Sequence, residues 1–241
     1  MKRIVLCMLS VLLVVVSILA GVHTASVEKA NEDTAAQGVV VPKKLIDVPT
    51  ISQYPALPTG CESVAATMVL QYYGVDITAQ DFALHWLECS RDFHQKHGRV
   101  YGPDPRKVFA GDPFTENSYG CFAEPIADAV NRNSVDCTAQ IITDRTLEEL
   151  CEDYVDNDRP LLIWATMKMQ ESYKGNAWYL EDGSLFTWIA REHCLVLVGY
   201  NEAYYLLNDP MTGGVVAYPK SVVEKRFAEL GMQAVYICRN T

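Results

Sequence analysis

The chain changes its hydrophobic period at Pro160, and this single shift limits the folds open to it. Before Pro160, apolar residues recur at spacings of three and four; after it they come in short runs of β-branched, aromatic and aliphatic residues. Val64, Ala65, Met68 and Tyr72 continue a face begun by Cys61, and Gly74 supplies a left-handed cap, so residues 61–73 read as one helix. Thr78 with Asp81 opens a short helix through Leu87, Pro125 fits the first turn of another to about Asn131, and Thr146-Leu-Glu-Glu149 forms a capping box for a fourth through Tyr154. Beyond Pro160, the runs 161–167, 193–200, 204–207, 215–218 and 233–238 read as strands of one sheet, with a helix over 221–230 closed by Gly231. The expected class is α+β, a helical part packed on an antiparallel sheet.

The N-terminus has a different character. Lys2 and Arg3 precede an apolar run from Ile4 to Ala20, and small residues follow at Gly21, Thr24 and Ala25. Residues 1–25 therefore read as a secretory signal peptide, with an uncleaved N-terminal anchor as the alternative. Residues 26–38 are a polar linker, and residues 39–241 are the size of one domain with a substantial core. The expected location is extracytoplasmic. With 30 acidic and 20 basic residues the net charge is −10, and loss of Lys2 and Arg3 makes it −12. Such a surface has no general attraction for nucleic acid or anionic lipid, so neither is an expected partner; a monomer is expected.

Eight cysteines are present, of which Cys7 belongs to the signal segment. Seven remain, an odd number, so in an oxidising compartment one thiol stays free or pairs with another chain. Cys61 is the natural free one, and the other six read as buried small hydrophobes or as disulfide partners of undetermined connectivity. No C-x-x-C pair and no zinc-finger spacing occurs, so no metal and no other cofactor is expected.

Cys61 follows the loop Gln53-Tyr-Pro-Ala-Leu-Pro-Thr-Gly60 at the start of its helix. Unpaired amides and partial positive charge at a helix N-terminus favour thiolate over thiol. Amide cleavage by a cysteine also requires a base to accept the thiol proton, a group to orient that base, and donors for the oxyanion. His193 opens an apolar strand and Asp209 ends its hairpin partner, so a turn near residues 201–203 brings them side by side. His193 follows Cys61 by 132 residues, within the interval of about 130–150 seen between the Cys and His of papain-like enzymes. Cys194 points to the opposite face from His193 by strand alternation and reads as structural.

These residues resemble the bacteriocin-processing (double-glycine leader) cysteine peptidases, family 39 of the cysteine peptidases, and more closely its stand-alone secreted relatives. The likeness runs through Gln53–Gly74, Phe109-Ala-Gly-Asp-Pro113, Tyr119-Gly-Cys-Phe-Ala123, His193-Cys-Leu-Val-Leu-Val-Gly-Tyr200 and Asn208-Asp-Pro210 with Gly213. The resemblance implies a papain-like fold with Cys61 as nucleophile, His193 as general base and acid, Asp209 as orienter and Gln53 as side-chain oxyanion donor. It also implies peptide or protein substrates. Two features depart from the family pattern. Gln53 lies eight residues before Cys61, a wide gap, and Gly60-Cys61-Glu62 replaces Asp-Cys-Gly. No ATP-binding cassette and no bundle of membrane spans is read in the chain, so the leader-peptide substrate is not carried over.

The expected activity is peptide-bond hydrolysis through a thioester acyl-enzyme. Transglutaminase-like acyl transfer uses the same Cys, His, Asp order, and a non-catalytic peptide-binding module on the same fold is a third reading. His85, His94 and His97 match no metal motif and read as exposed loop residues, while Trp178 and Trp188 suit either the core or a cleft. The segment from about Arg91 to Gly120 reads as a long irregular loop and a candidate cleft wall.

Overall fold

Helix α1 (Cys61–Tyr72), which follows the short strand β1 (Lys44–Leu45), is buried continuously from Cys61 to Leu70. A helix covered on all sides must sit at the centre of the molecule, and α1 packs on the main sheet while its other sides meet neighbouring helices. A computed structural model describes residues 41–240; the expected signal segment and linker lie outside the described residues. Among the described residues no helix is long and apolar enough to cross a membrane.

After α1 the Thr78 hydroxyl accepts from the Asp81 amide and caps α2 (Ala79–Asp81), which runs on as a π-helical turn over Phe82–Trp86. Four short strands follow, β2 (Cys89–Ser90), β3 (His94–Lys96), β4 (Arg99–Tyr101) and β5 (Phe109–Ala110). Then come α3 (Ala123–Asn133), β6 (Cys137–Thr143) and α4 (Leu147–Asp153), the last opened by the capping box at Thr146 and Glu149. The β-rich half comprises β7 (Leu161–Thr166), β8 (Tyr173–Tyr179), β9 (Leu185–Ala190), β10 (Glu192–Tyr200), β11 (Tyr204–Asp209) and β12 (Gly214–Pro219), followed by α5 (Lys220–Glu229) and β13 (Gln233–Arg239).

The main sheet has seven antiparallel strands in the order β12-β11-β10-β7-β13-β6, with β1 added to β10. Every residue of β7 and of β10 is buried, so both faces of the sheet centre are covered. Helix α1 lies on β10 and β7, α3 on β6 and β13, and α5 on β7, β11 and β12. Trp164 on β7 is fully buried, and its indole N–H donates to the Cys121 carbonyl at 2.9 Å, tying the sheet to the segment before α3.

A second sheet, β3-β4-β8-β9, was not legible in the sequence and corrects one expectation. The five runs expected after Pro160 all lie in the main sheet, but β8 and β9 were not expected, and the segment 91–120 contains the β3–β4 hairpin instead of being irregular throughout. Phe93, Tyr119, Trp178, Phe186 and Trp188 interlock as its aromatic core, which gives Trp178 and Trp188 a packing role. The two sheets meet at Arg191, the one residue between β9 and β10. Its φ of +69° turns the chain sharply there.

The segment entering α1 behaves as a strap. The Ile46 amide donates to Val198 of β10, the Asn208 side chain of β11 donates to the carbonyls of Val48 and Pro49, and the Gln53 amide donates to Pro210. Gly199 permits the first of these approaches, because a Cβ there would lie 2.4 Å from the Lys44 carbonyl oxygen.

All seven cysteines among the described residues are free thiols. Cys121, Cys137, Cys151 and Cys194 are buried as small hydrophobes, and the disulfide alternative is not realised. His85, His94 and His97 are exposed.

Truncating Trp164 to Ala removes a fully buried indole and its hydrogen bond. Urea unfolding should show a loss of about 3–5 kcal/mol, against about 1 kcal/mol for Thr146→Ala at the cap of α4.

Candidate active site

Strand register brings His193 and Asp209 together. Val196 pairs with Asn208, so Leu195 stands opposite Asp209, and His193 lies two residues farther along the same face as the diagonal neighbour of Asp209. The His193 Nε2 to Asp209 Oδ1 distance is 2.7 Å, and both side chains are almost fully buried, at 2% and 1% exposure. Asp209 Oδ1 also accepts from the Met211 amide at 2.8 Å. Burial by itself would raise the Asp209 carboxyl, but the His193 hydrogen bond and charge, the Met211 amide and the Lys168 charge hold it below the usual carboxylate value.

Cys61 stands at the first position of α1, before the first helical bond from the Val64 amide to the Gly60 carbonyl. Its Sγ accepts from the Cys194 amide at 3.5 Å, which sets the thiol against the residue next to His193. The thiol itself is turned toward Glu62 Oε2, 3.3 Å away, and is not hydrogen-bonded to His193. Burial, followed by the charges of Glu62, Glu192 and Cys194, pushes the thiol well above its ordinary value, and the Cys194 amide offsets this only in part. The thiolate expected from the helix N-terminus is therefore not the resting form. Desolvation and two nearby carboxyls outweigh a partial helix charge.

Gln53 sits between the nucleophile loop and the Asp209 turn. Its backbone amide holds Pro210, and its side-chain Nε2 donates to the Pro58 carbonyl at 2.7 Å. One side-chain proton is thus committed to shaping the loop before Cys61, while Gln53 Oε1 is buried without a partner.

Glu62 and Glu192 were missed as site residues. Glu62 follows Cys61, Glu192 precedes His193, and one oxygen of each lies with Cys61 Sγ in a group whose members are all within 4.8 Å of one another. Glu62 Oε1 accepts from the Cys121 amide at 2.6 Å, and burial raises the Glu62 carboxyl to about 7. Burial and the Glu62 charge raise Glu192 well above the carboxylate range. Both carboxyls converge on Gly120, where a Cβ would lie 2.6 Å from Glu62 Oε1 and 2.9 Å from Glu192 Oε2. The signal available in the sequence was that Glu62 is the single charged residue of the helix Cys61–Tyr72. Cys194, read as facing away, contributes its backbone N–H directly to Cys61 Sγ.

Cys61 is only 6% exposed, and a groove of about 510 Å3 bordered by Glu88, Asp92, Asp104 and Asp182 includes neither Cys61 nor His193. The loop of residues 112–118 closes over the nucleophile turn, where Thr59 donates to the Thr115 carbonyl at 2.8 Å.

An α+β fold with a helix-borne cysteine packed on an antiparallel sheet that carries a His–Asp pair is the papain-like arrangement of the C39 peptidases. Residues 45–235 match the model of the Peptidase_C39 like family, and the chain belongs to that family. It is 24% identical over 183 residues to the uncharacterized protein YvpB of Bacillus subtilis (strain 168), covering 76% of this chain and 70% of that one. A solved candidate C39-like peptidase from Bacillus anthracis superposes with a TM-score of 0.71 at 25% identity, covering 83% of this chain and 99% of the other.

Held below its ordinary value, the Asp209 carboxyl contributes stability that is present above the unfolded value of about 3.9 and is lost as pH falls through the lower folded value. Thermal melts of the wild type should therefore drop steeply below about pH 4, and Asp209→Asn should flatten that acid limb.

Proposed function

We propose that this protein is a cysteine peptidase that acts outside the cytoplasm and hydrolyses peptide bonds through a thioester on Cys61. The observation that carries the reading is the buried His193–Asp209 hydrogen bond beside a helix-starting cysteine whose Sγ contacts the amide of residue 194. Asp209 on Nε2 leaves Nδ1 of His193 as the nitrogen that takes the thiol proton and later returns it to the leaving amine. For that transfer the thiol turns from Glu62 toward His193, and ion pairing there replaces the unfavourable carboxyl field with a favourable imidazolium. The Cys61 amide, ahead of the first helical bond, and the second side-chain proton of Gln53 are the candidate oxyanion donors. The extracytoplasmic assignment rests on the basic and apolar run at the N-terminus.

Membership in the Peptidase_C39 like family supports a peptide substrate over other acyl compounds. Iodoacetamide treatment of the folded protein with site mapping should label Cys61 among the seven thiols, and His193→Ala should slow that labelling at least tenfold. On a peptide library, Cys61→Ala should abolish cleavage, and His193→Ala should reduce it by about 10²–10⁴-fold. Labelling indifferent to His193 would refute the mechanism. Dominant incorporation of an added amine over hydrolysis would move the reading to acyl transfer.

A further inference from the structure

Two buried carboxyls flank the reacting pair in a way the peptidase mechanism does not use. Glu62 is adjacent in sequence to Cys61 and Glu192 to His193, on elements that pack directly on each other. Glu192 Oε1 is buried with no hydrogen-bond partner, whereas Glu62 is held by the Cys121 amide and touched by the Cys61 thiol. Two ionised carboxylates buried with an oxygen of each within 4.8 Å of the other would repel strongly. A proton on one of them converts that repulsion into a strong hydrogen bond.

We propose that Glu62 and Glu192 share one proton in a buried carboxyl–carboxylate hydrogen bond, a clamp that fastens the residue after Cys61 to the residue before His193. Glu192 and Glu62 are then positioning residues, which set the spacing of nucleophile and base through the backbone on either side. The groups facing the pair are consistent with this. Cys61 on α1, Cys121 before α3 and Cys194 on β10 approach as neutral thiols, and Cys89 feels the Glu62 charge from farther off. Burial and the Glu62 charge are the influences on Glu192, and both favour its protonated form. Gly120 is part of the device, since its φ of +150° and missing side chain leave room for the two carboxyls to meet. The upward displacement of both carboxyls agrees with a retained proton.

The alignment role rests on the assignment of Cys61 and His193 as the reacting pair; the shared proton does not. A carboxyl whose folded value is raised contributes stability present below its unfolded value, about 4.3, and lost as pH rises through the folded value. Thermal melts of the full chain from pH 5 to 9 should therefore fall steadily in the wild type. Glu192→Gln, whose amide donates to Glu62 without titrating, should flatten that fall and melt above the wild type at pH 9. At pH 6.5, Glu192→Gln should keep Cys61 iodoacetamide labelling within about threefold of wild type and dependent on His193. Glu192→Ala should lower labelling at least tenfold and make it indifferent to His193→Ala. An unchanged melting profile in Glu192→Gln, or labelling as poor as in Glu192→Ala, would overturn the clamp. So would a wild-type melting point raised by zinc and lowered by EDTA, since an ion would then hold the carboxyls. If Glu192→Ala does not fold, the Glu192→Gln melts and labelling decide. Labelling of wild-type Cys61 that ignores His193 defeats the peptidase reading, while the melts still judge the proton.

Discussion

The packing of α1 against β10 is the contact on which the rest of the molecule depends. Because α1 is buried on every side over its first ten residues, it has no freedom to slide or rotate, and its N-terminal residue is delivered to one place. That place is the start of a strand buried along its whole length, where the Cys194 amide meets the Cys61 sulfur. The hydrophobic content of the helix thus determines the position of a polar group. The same register that pairs β10 with β11 puts Asp209 on the diagonal from His193. Two independent packing decisions, helix on strand and strand on strand, converge on a few side chains.

Burial of this depth sets a conflict at the thiol. A helix N-terminus favours the thiolate by an amount typical of partial charges at a helix end, roughly 0.3–2 kcal/mol. Desolvation of a fully buried group, with carboxyls nearby, acts in the opposite direction and is the larger influence here. In this arrangement the Cys61 thiol donates to Glu62. Reaction requires a change of partner at the sulfur, and His193 with its buried aspartate is the group able to stabilise the ion that results.

Much of the main architecture was legible because its residues obey simple periods. The helix after Gly60, the capping box at Thr146 and the hairpin of β10 and β11 follow from apolar spacing and turn residues. The second sheet was not, because Tyr173-Lys-Gly-Asn-Ala-Trp-Tyr179 mixes charge, glycine and aromatics, and most of it is solvent-facing. Its stability comes from the interlocked rings of Phe93, Tyr119 and Trp178, which are distant in sequence. Of the candidate site, Cys61, His193 and Asp209 could be picked by residue type and order, and Gln53 only through the family resemblance. Glu62 and Glu192 could not, since only the folded chain shows that two carboxyls separated by 130 positions face each other across Gly120.

The strap from Lys44 to Gln53 gives the chain an internal ruler. It is pinned to β10 at Ile46, to β11 through Asn208 and to the Asp209 turn at Gln53, so its contour length is fully specified between three points. A side chain at its far end is therefore placed by counting residues from the sheet, in the way a mark on a rule is placed by its zero. A change in the length of this stretch would displace Ile46 and Val48 from the core together with Gln53, so the approach to the helix couples the placing of a site residue to the integrity of the fold.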